Sequence, residues 1–348
     1  MNTSAAVRPS SPADQDYQKI LARGRRGRRD VKLSPYLYIS PFFLIFAVIG
    51  LFPLLYTAYI ATRQWNMTGG DQGVALVSGG GGERSIWGNF MWALGNPEFW
   101  LALRNTFSIF ILSSGPQIMV AMVLAAILSA NLRAKTFWRM GVLLPYVVAP
   151  MAAGIIFRQM FSDETGIINQ MLGHIGLDPI SWHGDVLASH LAVAAIVNFR
   201  WTGYNTLVLL AAMQAIPRET YEAAVVDGAG PIRQFWSITV PMIRPTLVFV
   251  IITSTIAGLQ VFDEPQMFSI SNAYGGSGGQ FLTVTQLLWK TGFVSNNPSN
   301  MGRAAAIAWI LFLIIVVFAI LNFMLTRRIA SPGGTSTKSK KTKVGGRK

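Results

Sequence analysis

The stretch ETYEAAVVDGAG, residues 219–230, combines three acidic residues with small side chains and glycine, and it lies between long hydrophobic segments. Pro217 precedes it, and proline suits the first turn of a helix, whose positive end also favours the two glutamates. Gly228 and Gly230 permit a sharp exit, because glycine adopts positive φ without steric cost. The stretch therefore predicts a short helix that ends in a tight turn.

Residues 231–245, PIRQFWSITVPMIRP, continue this pattern. Pro231 suits the start of a second short helix. Four apolar residues then recur at the spacing of one helix face, namely Ile232, Phe235, Trp236 and Ile238. Pro241 and Pro245 end this helix and start the next hydrophobic segment. We predict a small helix–turn–helix whose small residues allow the surface of another protein to approach closely.

The composition of the whole chain is typical of a membrane protein. Of its 348 residues, 51% are hydrophobic and 13% are charged, whereas soluble domains carry about 25% charged residues. A helix needs about 20 apolar residues to cross a bilayer. Six segments meet this length: 36–61, 103–130, 137–160, 186–215, 245–268 and 304–325. Gly115-Pro116 in the second segment, and Pro145 and Pro150 in the third, predict kinks rather than helix ends.

The positions of lysine and arginine predict the orientation of these segments. Of the 29 basic residues, 22 lie before the first segment, after the sixth, or in the loops that follow the second and fourth. Because cytoplasmic loops carry the excess of positive charge, both termini and residues 219–230 are predicted to be cytoplasmic. We therefore predict an all-α membrane protein with six transmembrane helices in residues 36–326. Disordered basic cytoplasmic tails, residues 1–35 and 327–348, are expected to flank it.

Several functions have no support in the sequence. The chain has no cysteine, and its three histidines match no common metal-binding spacing. The glycine runs are not phosphate-binding loops, because no Gly-Lys-Ser/Thr sequence follows them. No hydrolase or protease motif is present either. We therefore predict that the chain is not an enzyme and that it holds neither a metal nor a cofactor. The formal net charge of +14 follows from topology, and the tails lack the interleaved aromatic residues of nucleic-acid-binding segments.

The stretch and its continuation also contain a recognisable motif. Its residues are Glu222, Ala223, Ala224, Asp227, Gly228, Ala229, Phe235, Ile238, Pro241 and Pro245. This motif resembles the cytoplasmic EAA signature of the permease subunits of binding-protein-dependent ABC importers, with Val240 in place of the usual leucine. Further blocks, among them LPYVVAPMAAGIIFRQMFSDETGIIN and LQVFDEP, extend the resemblance over about residues 88–322. They are similar to the carbohydrate branch, which contains the maltose, lactose and glycerol-phosphate permeases.

The resemblance implies a role for this cytoplasmic segment. In that family a coupling helix between the fourth and fifth transmembrane helices docks on a separate ATP-hydrolysing subunit. It implies this ATPase-coupling role for Glu222, Ala223, Ala224, Asp227, Gly228, Ala229 and Gly230. It also implies that this chain works in the cell membrane with four partner chains, namely a second homologous permease, two ATP-binding subunits and an extracytoplasmic solute-binding protein. The competing interpretation is an amphipathic helix that merely lies at the membrane interface.

Two polar clusters within the hydrophobic segments are candidates for a sugar site. Such a site needs aromatic surfaces and polar partners, and ionisable residues within a membrane are functional candidates because stranding a charge in lipid is costly. The clusters are Asn198, Arg200, Trp201, Tyr204 and Asn205, and Ser254, Gly258, Gln260, Asp263 and Glu264. The resemblance implies substrate contacts at Arg200, Trp201, Tyr204, Ser254, Gly258 and Asp263. A purely structural ion pair of Arg200 with Asp263 or Glu264 is the alternative.

The sequence thus predicts the permease subunit of an ATP-driven importer for a carbohydrate. Its FDEP block resembles permeases for disaccharides and oligosaccharides more than the glycerol-phosphate type, which implies a substrate of that size. One alternative is an importer for a polyamine or phosphate, for which more charged residues are expected in the spans. Another is a secondary transporter, which would leave the stretch 219–230 unexplained. The third is a sensor or structural membrane protein, for which the chain offers no soluble output domain.

Overall fold

The computed structural model describes residues 34–77, 82–130, 133–269, 274–295, 297 and 300–330, with side chains as far as residue 324. The predicted tails, 1–35 and 327–348, lie largely outside these residues. The chain divides into two units, residues 1–59 and 60–348. The described part of the first unit is helical.

The N-terminal elements include one departure from the predicted all-α class. Two short strands form an antiparallel hairpin in which Asn66 pairs with Gly70. Gly70 has φ +64°, which suits glycine in a tight hairpin turn. In chain order the elements are α1 (Ser34–Ala61), β1 (Arg63–Asn66), β2 (Gly70–Val74), α2 (Gly88–Gly95) and α3 (Pro97–Ser129).

In the middle of the chain, α3 packs against the helix Val186–Gln214 (α7), and this is the most extensive packing between any two of the described helices. Asp185 caps α7 by accepting a hydrogen bond from the backbone N–H of Ala188 at 2.8 Å, which satisfies a donor at the start of the helix. The elements are α4 (Lys135–Val147), α5 (Pro150–Met160), α6 (Ile167–His174) and α7 (Val186–Gln214).

The C-terminal part begins with two short helices that follow α7. The elements are α8 (Arg218–Val226), α9 (Pro231–Met242), α10 (Arg244–Leu259), α11 (Asp263–Phe268), α12 (Val284–Trp289) and α13 (Asn300–Ala330). A π-helical turn, Phe235–Thr239, lies within α9. Another, Lys290–Val294, follows α12.

Among the described residues, three single helices are long and apolar enough to cross a membrane: α1, α3 and the Asn300–Met324 part of α13. The pairs α4–α5 and α9–α10 meet the same criterion as bent units, with bends of 89° and 73°. The chain is therefore a helical protein with several membrane-spanning candidates. The 29-residue α7 is long enough, at about 1.5 Å per residue, but carries polar residues along its middle.

Two of the predicted spans differ from the helices observed. The third, 137–160, bends sharply at Val148 and Ala149, while Pro145 remains inside α4. The residue before a proline avoids helical angles, and Ala149 before Pro150 has ψ 137°. The fifth, 245–268, ends its main helix at Leu259 and resumes as α11. In contrast, α3 runs through Pro116 without interruption.

The apolar core has separate clusters along the two halves of the α3–α7 pair. Ile109 of α3 packs with Val193 and Ile196 of α7 in the N-terminal halves. Ala121 and Leu209 belong to another cluster in the C-terminal halves. The residues between these clusters are more polar, and they line the cavity described next.

Candidate functional site

A cavity of about 300 Å³ lies among α3, α7, α10 and the segment that joins α10 to α11. The residues of α7 that line it lie between positions 197 and 205, near the middle of this 29-residue helix. Ser114 and Gln117 lie likewise near the middle of the 33-residue α3. The cavity is therefore about halfway along both α3 and α7.

A buried ion pair between α7 and α11 forms one wall. Nη1 of Arg200 donates to Oε1 of Glu264 at 2.5 Å, and the two side chains are only 10% and 6% exposed. The Arg200 guanidinium also lies 6.0 Å from the centre of the Trp201 ring. Its Nε has no hydrogen-bond partner among the described residues. One donor of a buried cation is thus left for a further partner.

Aromatic rings form a second part of the site. Tyr146 of α4 stacks on Tyr204 with ring centres 5.2 Å apart, and its edge meets Trp201 at 5.6 Å. Trp201 and Tyr204 are both half-buried and line the cavity. Flat apolar faces with polar tips suit a ligand whose hydroxyl groups point sideways from an apolar ring face.

A polar ladder joins three helices across the cavity. Nδ2 of Asn205 donates to Oε1 of Gln117 and to Oγ of Ser254, each at 3.1 Å. Oγ of Ser114 lies 3.4 Å from the backbone oxygen of Ser254. Asn205, Gln117 and Ser254 are all buried. Because buried polar groups are costly unless they are paired, this ladder fixes the relative positions of α3, α7 and α10.

Gly258 marks the closest approach of α10 to α3. A Cβ atom at this position would lie 2.7 Å from Cδ2 of Phe110 and 2.9 Å from Oγ of Ser114. No side chain larger than hydrogen fits without displacement of these neighbours. The glycine therefore sets the packing of the cavity wall rather than contributing a polar group to it.

The break after α10 delivers two carboxylates to the cavity. Asp263 and Glu264 occupy the first turn of α11, where the helix dipole favours acidic residues. The break frees the backbone oxygen of Val261, which accepts hydrogen bonds from Thr283 at 3.1 Å and Thr285 at 2.5 Å. Side chains thus satisfy the freed backbone, as a broken helix within a membrane protein requires.

All six residues assigned to the substrate from the sequence line this one cavity, namely Arg200, Trp201, Tyr204, Ser254, Gly258 and Asp263. Of the two alternatives for the ion pair, Glu264 is the partner of Arg200. Asn198 does not line the cavity, and its Oδ1 is buried without a hydrogen bond among the described residues. Ser114 and Gln117 were missed by the sequence analysis. Their signal was present, since polar residues in the middle of an apolar span need buried partners.

The segment 219–230 forms a helix with a closed C-terminal turn. Gly228 has φ +75°, and its N–H donates to the oxygen of Val225 at 3.0 Å. The N–H of Ala229 donates to the oxygen of Ala224 at 2.9 Å. These two hydrogen bonds form a Schellman motif, in which glycine is favoured at the left-handed position.

The surface of this segment is apolar at several exposed positions. Val225 and Val226 are 63% and 88% exposed, and Ile232 is 78% exposed. The Tyr221 hydroxyl bonds to Oγ1 of Thr239 at 2.8 Å, which joins α8 to α9. An exposed apolar patch on a small rigid element is a common feature of interaction surfaces.

The chain belongs to the family of binding-protein-dependent transport system inner membrane components, whose family model matches residues 90–331. It is therefore a membrane-embedded, multi-pass transport component, and the prediction that it is not an enzyme is confirmed by this membership. The predicted family is confirmed as well.

Curated relatives of this chain include two sugar permeases. The arabinooligosaccharides transport system permease protein AraP of Halalkalibacterium halodurans is 33% identical over 85% of this chain and 88% of its own length. The lactose transport system permease protein LacF of Rhizobium radiobacter is 31% identical over 86% of this chain and 96% of its own length. Both support the predicted carbohydrate branch.

Solved structures support the fold. A crystal structure of a bacterial ABC transporter that imports the acidic polysaccharide alginate contains a chain with a TM-score of 0.68 and 19% identity, covering 89% of this chain and all of that one. A crystal structure of a bacterial alginate ABC transporter in complex with an alginate pentasaccharide-bound periplasmic protein contains a chain with a TM-score of 0.68 and 20% identity. The match covers 89% of this chain and 98% of that one. At this identity the likeness concerns the fold alone.

Proposed function

We propose that this chain forms half of the membrane path of an ATP-driven importer, and that it carries a disaccharide or oligosaccharide into the cytoplasm. The observation that carries this proposal is the polar cavity halfway along α3 and α7. It unites an arginine with an unused donor, two aromatic rings and a polar ladder. These are the groups that a hydroxyl-rich solute needs at the middle of a bilayer.

The proposed path has six membrane spans, with α7 as the fourth. At about 1.5 Å per residue, its 29 residues extend about 44 Å, which exceeds the hydrocarbon thickness of about 30 Å. Its polar midsection faces the cavity and the neighbouring helices rather than lipid, since Arg200, Asn205 and Thr206 are buried. Both termini and the segment 219–230 are then cytoplasmic, as the basic residues predict.

In this proposal α8 and its turn are the surface that an ATP-hydrolysing subunit contacts. Glu222, Ala223, Asp227, Gly228 and Gly230 are exposed, whereas Ala224 packs inward and Ala229 is half-buried. The turn is rigid because of its two backbone hydrogen bonds, and α9 connects it to α10 through the 73° bend. Motion of the partner would reach the cavity wall along this connection.

The complete importer would require further chains. We propose a second homologous permease to complete the path, two ATP-binding subunits and an extracytoplasmic solute-binding protein. The periplasmic protein in the alginate complex and the family description both support the last of these. No cofactor or metal is needed in this chain for such a role.

The test is uptake of labelled mono-, di- and oligosaccharides by cells with and without the gene, repeated with a Gly228→Asp chain. We expect that uptake of one di- or oligosaccharide is lost both in cells without the gene and in cells with the Gly228→Asp chain. A Gly173→Ala chain is the control, because a Cβ at Gly173 would meet no atom within 4 Å. If uptake of phosphate, peptides or polyamines fails instead, the sugar assignment is wrong.

A further inference from the structure

The charges that line the cavity do not cancel. Its charged side chains are Arg200, Asp263 and Glu264, which gives one positive and two negative groups. Relatives and structural neighbours of the chain include permeases for neutral and for acidic sugars. The charge of the cavity itself is therefore the available guide to the charge of the substrate.

The single cation is already neutralised within the protein. Arg200 bonds to Glu264 at 2.5 Å, and both residues are more than nine-tenths buried. A buried arginine in such a pair has little positive potential left to attract an acidic ligand. Its Nε–H has no partner among the described residues but is itself buried, so it adds no accessible positive charge to the cavity.

The second carboxylate, Asp263, is in a different state. It lies next to Glu264 in the first turn of α11 and is exposed at the cavity. Its side chain forms no hydrogen bond or ion pair with any residue that the structure describes. The cavity therefore presents one uncompensated carboxylate to whatever enters it.

We propose that the cavity accepts neutral sugars and amino sugars and rejects uronates and sugar phosphates, and that Asp263 makes this distinction. The inference rests on the proposed sugar-import function. A carboxylate accepts two hydroxyl hydrogen bonds from a neutral sugar and attracts an ammonium group. Toward a carboxylate or phosphate on the ligand it is repulsive, and at an effective dielectric constant near 20 such repulsion at contact distance changes affinity by at least about tenfold.

The competing explanation is that Asp263 only stabilises the first turn of α11. That role would alter the stability of the protein and would affect ligands of every charge equally. A charge-selective role instead changes the ratio of affinities between matched ligands. The experiment therefore compares trisaccharides of different charge and measures how a neutral variant of Asp263 changes the ratios of their affinities.

The assay is equilibrium binding to the purified assembly of permeases and ATPases, without the solute-binding protein, so that its own preference does not enter. The probes are maltotriose, fully deacetylated chitotriose and trigalacturonate. For the native chain we expect maltotriose and the amino sugar to bind at least about tenfold more tightly than the uronate. Asp263→Asn should reduce this gap by about tenfold, because it removes the repulsion toward the uronate, whereas maltotriose loses only the stronger of two kinds of hydrogen bond. Asp178→Asn, an exposed carboxylate outside the cavity, is the control and should change nothing.

Salt provides a second readout, because repulsion between partly exposed charges is screened at high ionic strength. The gap between maltotriose and the uronate should narrow in 1 M salt for the native chain and not for Asp263→Asn. Equal binding of all three probes, or an equal effect of Asp263→Asn on each, overturns the inference. So does the absence of any binding. None of these results would remove a sugar-uptake phenotype, which tests the proposed function separately.

Discussion

At the scale of single residues, the Arg200–Glu264 pair is the interaction on which the cavity wall depends most. Removal of one member of a buried ion pair leaves the other charge uncompensated and costs about 3–5 kcal/mol. We expect Glu264→Gln to lower the thermal stability of the detergent-solubilised permease strongly. The Arg200→Gln/Glu264→Gln double variant should recover part of this loss, because no buried charge remains.

A double-mutant cycle of thermal unfolding measures this coupling. Asp178→Asn is a suitable control, since Asp178 is exposed and outside the cavity. If the loss of stability in the double variant equals the sum of the losses in Arg200→Gln and in Glu264→Gln, the two side chains do not interact in the folded protein. The double variant should nevertheless fail in sugar uptake, because the cavity then lacks the Arg200 donor.

Gly258 offers a test of packing at the cavity wall. Gly258→Ala places a methyl group 2.7 Å from Phe110, which forces a rearrangement that costs about 1–3 kcal/mol. Gly115→Ala is the matched control on α3, because a Cβ there meets no atom within 4 Å. In thermal unfolding we expect the first variant to be destabilised and the second to be unchanged or slightly stabilised. The reverse order would mean that α3 and α10 do not approach as the structure shows.

The identities of most cavity residues could be predicted from the sequence, whereas their partners could not. Arg200 and Asp263 stand out because charge is rare in apolar segments. The pairing of Arg200 with Glu264 depends on the break after Leu259, because this break lets α11 approach α7. Gln117 was missed since a neutral amide in an apolar helix gives a weak signal until its partner Asn205 is known.

At the scale of elements, α8 and its turn have a surface that is separate from their internal contacts. Glu222 is 66% exposed, and among the residues that the structure describes its one ion-pair partner is Arg218, which is 92% exposed. Such surface pairs contribute little to stability. We expect Glu222→Lys to leave the amount of permease in the membrane unchanged while uptake is lost, because a partner surface is altered.

Quantitative immunoblotting of membranes, together with co-purification of the ATP-binding subunit, checks this prediction. Arg133→Glu is a charge-reversal control, since Arg133 is an exposed basic residue on another predicted cytoplasmic loop. Normal uptake in the Glu222→Lys strain would contradict the coupling assignment. It would favour the alternative that α8 is an amphipathic helix at the membrane interface.

The contact between α4 and α7 depends on another glycine. A Cβ at Gly203 would lie 2.0 Å from the backbone oxygen of Val142, so the two helices can approach only with glycine at this position. We expect Gly203→Ala to cost about 3 kcal/mol or more in unfolding free energy, because backbone cannot yield as a side chain can. Gly141→Ala in α4, where the space is open, should be tolerated in the same thermal unfolding assay.

Helix positions followed from hydrophobicity, but the bends did not. Residues 137–160 were predicted as one kinked span, yet α4 and α5 meet at 89°. Within the second and third predicted spans, proline occurs at positions 116, 145 and 150, and the helix breaks only before Pro150. Neighbouring helices decide whether the freed backbone groups find partners, and the sequence of one segment does not contain that information.

At the scale of the whole molecule, the fold separates two apolar clusters by a polar layer. Ile109 and Ile196 belong to one cluster, and Ala125 and Leu209 to another. Asn205 and Gln117 lie between them and are buried. An apolar core alone would be more stable in lipid, because each buried polar group requires its own partner. The polar layer is therefore best explained by the passage of a polar solute.

The six-span arrangement makes a prediction that the chain itself is well suited to test, because it contains no cysteine. Asp178 and Ser237 are both exposed, and Asp178 precedes α7 in the sequence whereas Ser237 follows it. If α7 crosses the membrane with α8 on the cytoplasmic side, Asp178→Cys should react with a membrane-impermeant maleimide in intact cells. Ser237→Cys should react only after permeabilisation, and the parent chain, as the control, should not react at all. Labelling of both positions from the same side would mean that α7 does not cross, and the path would then have five spans with its termini on opposite sides.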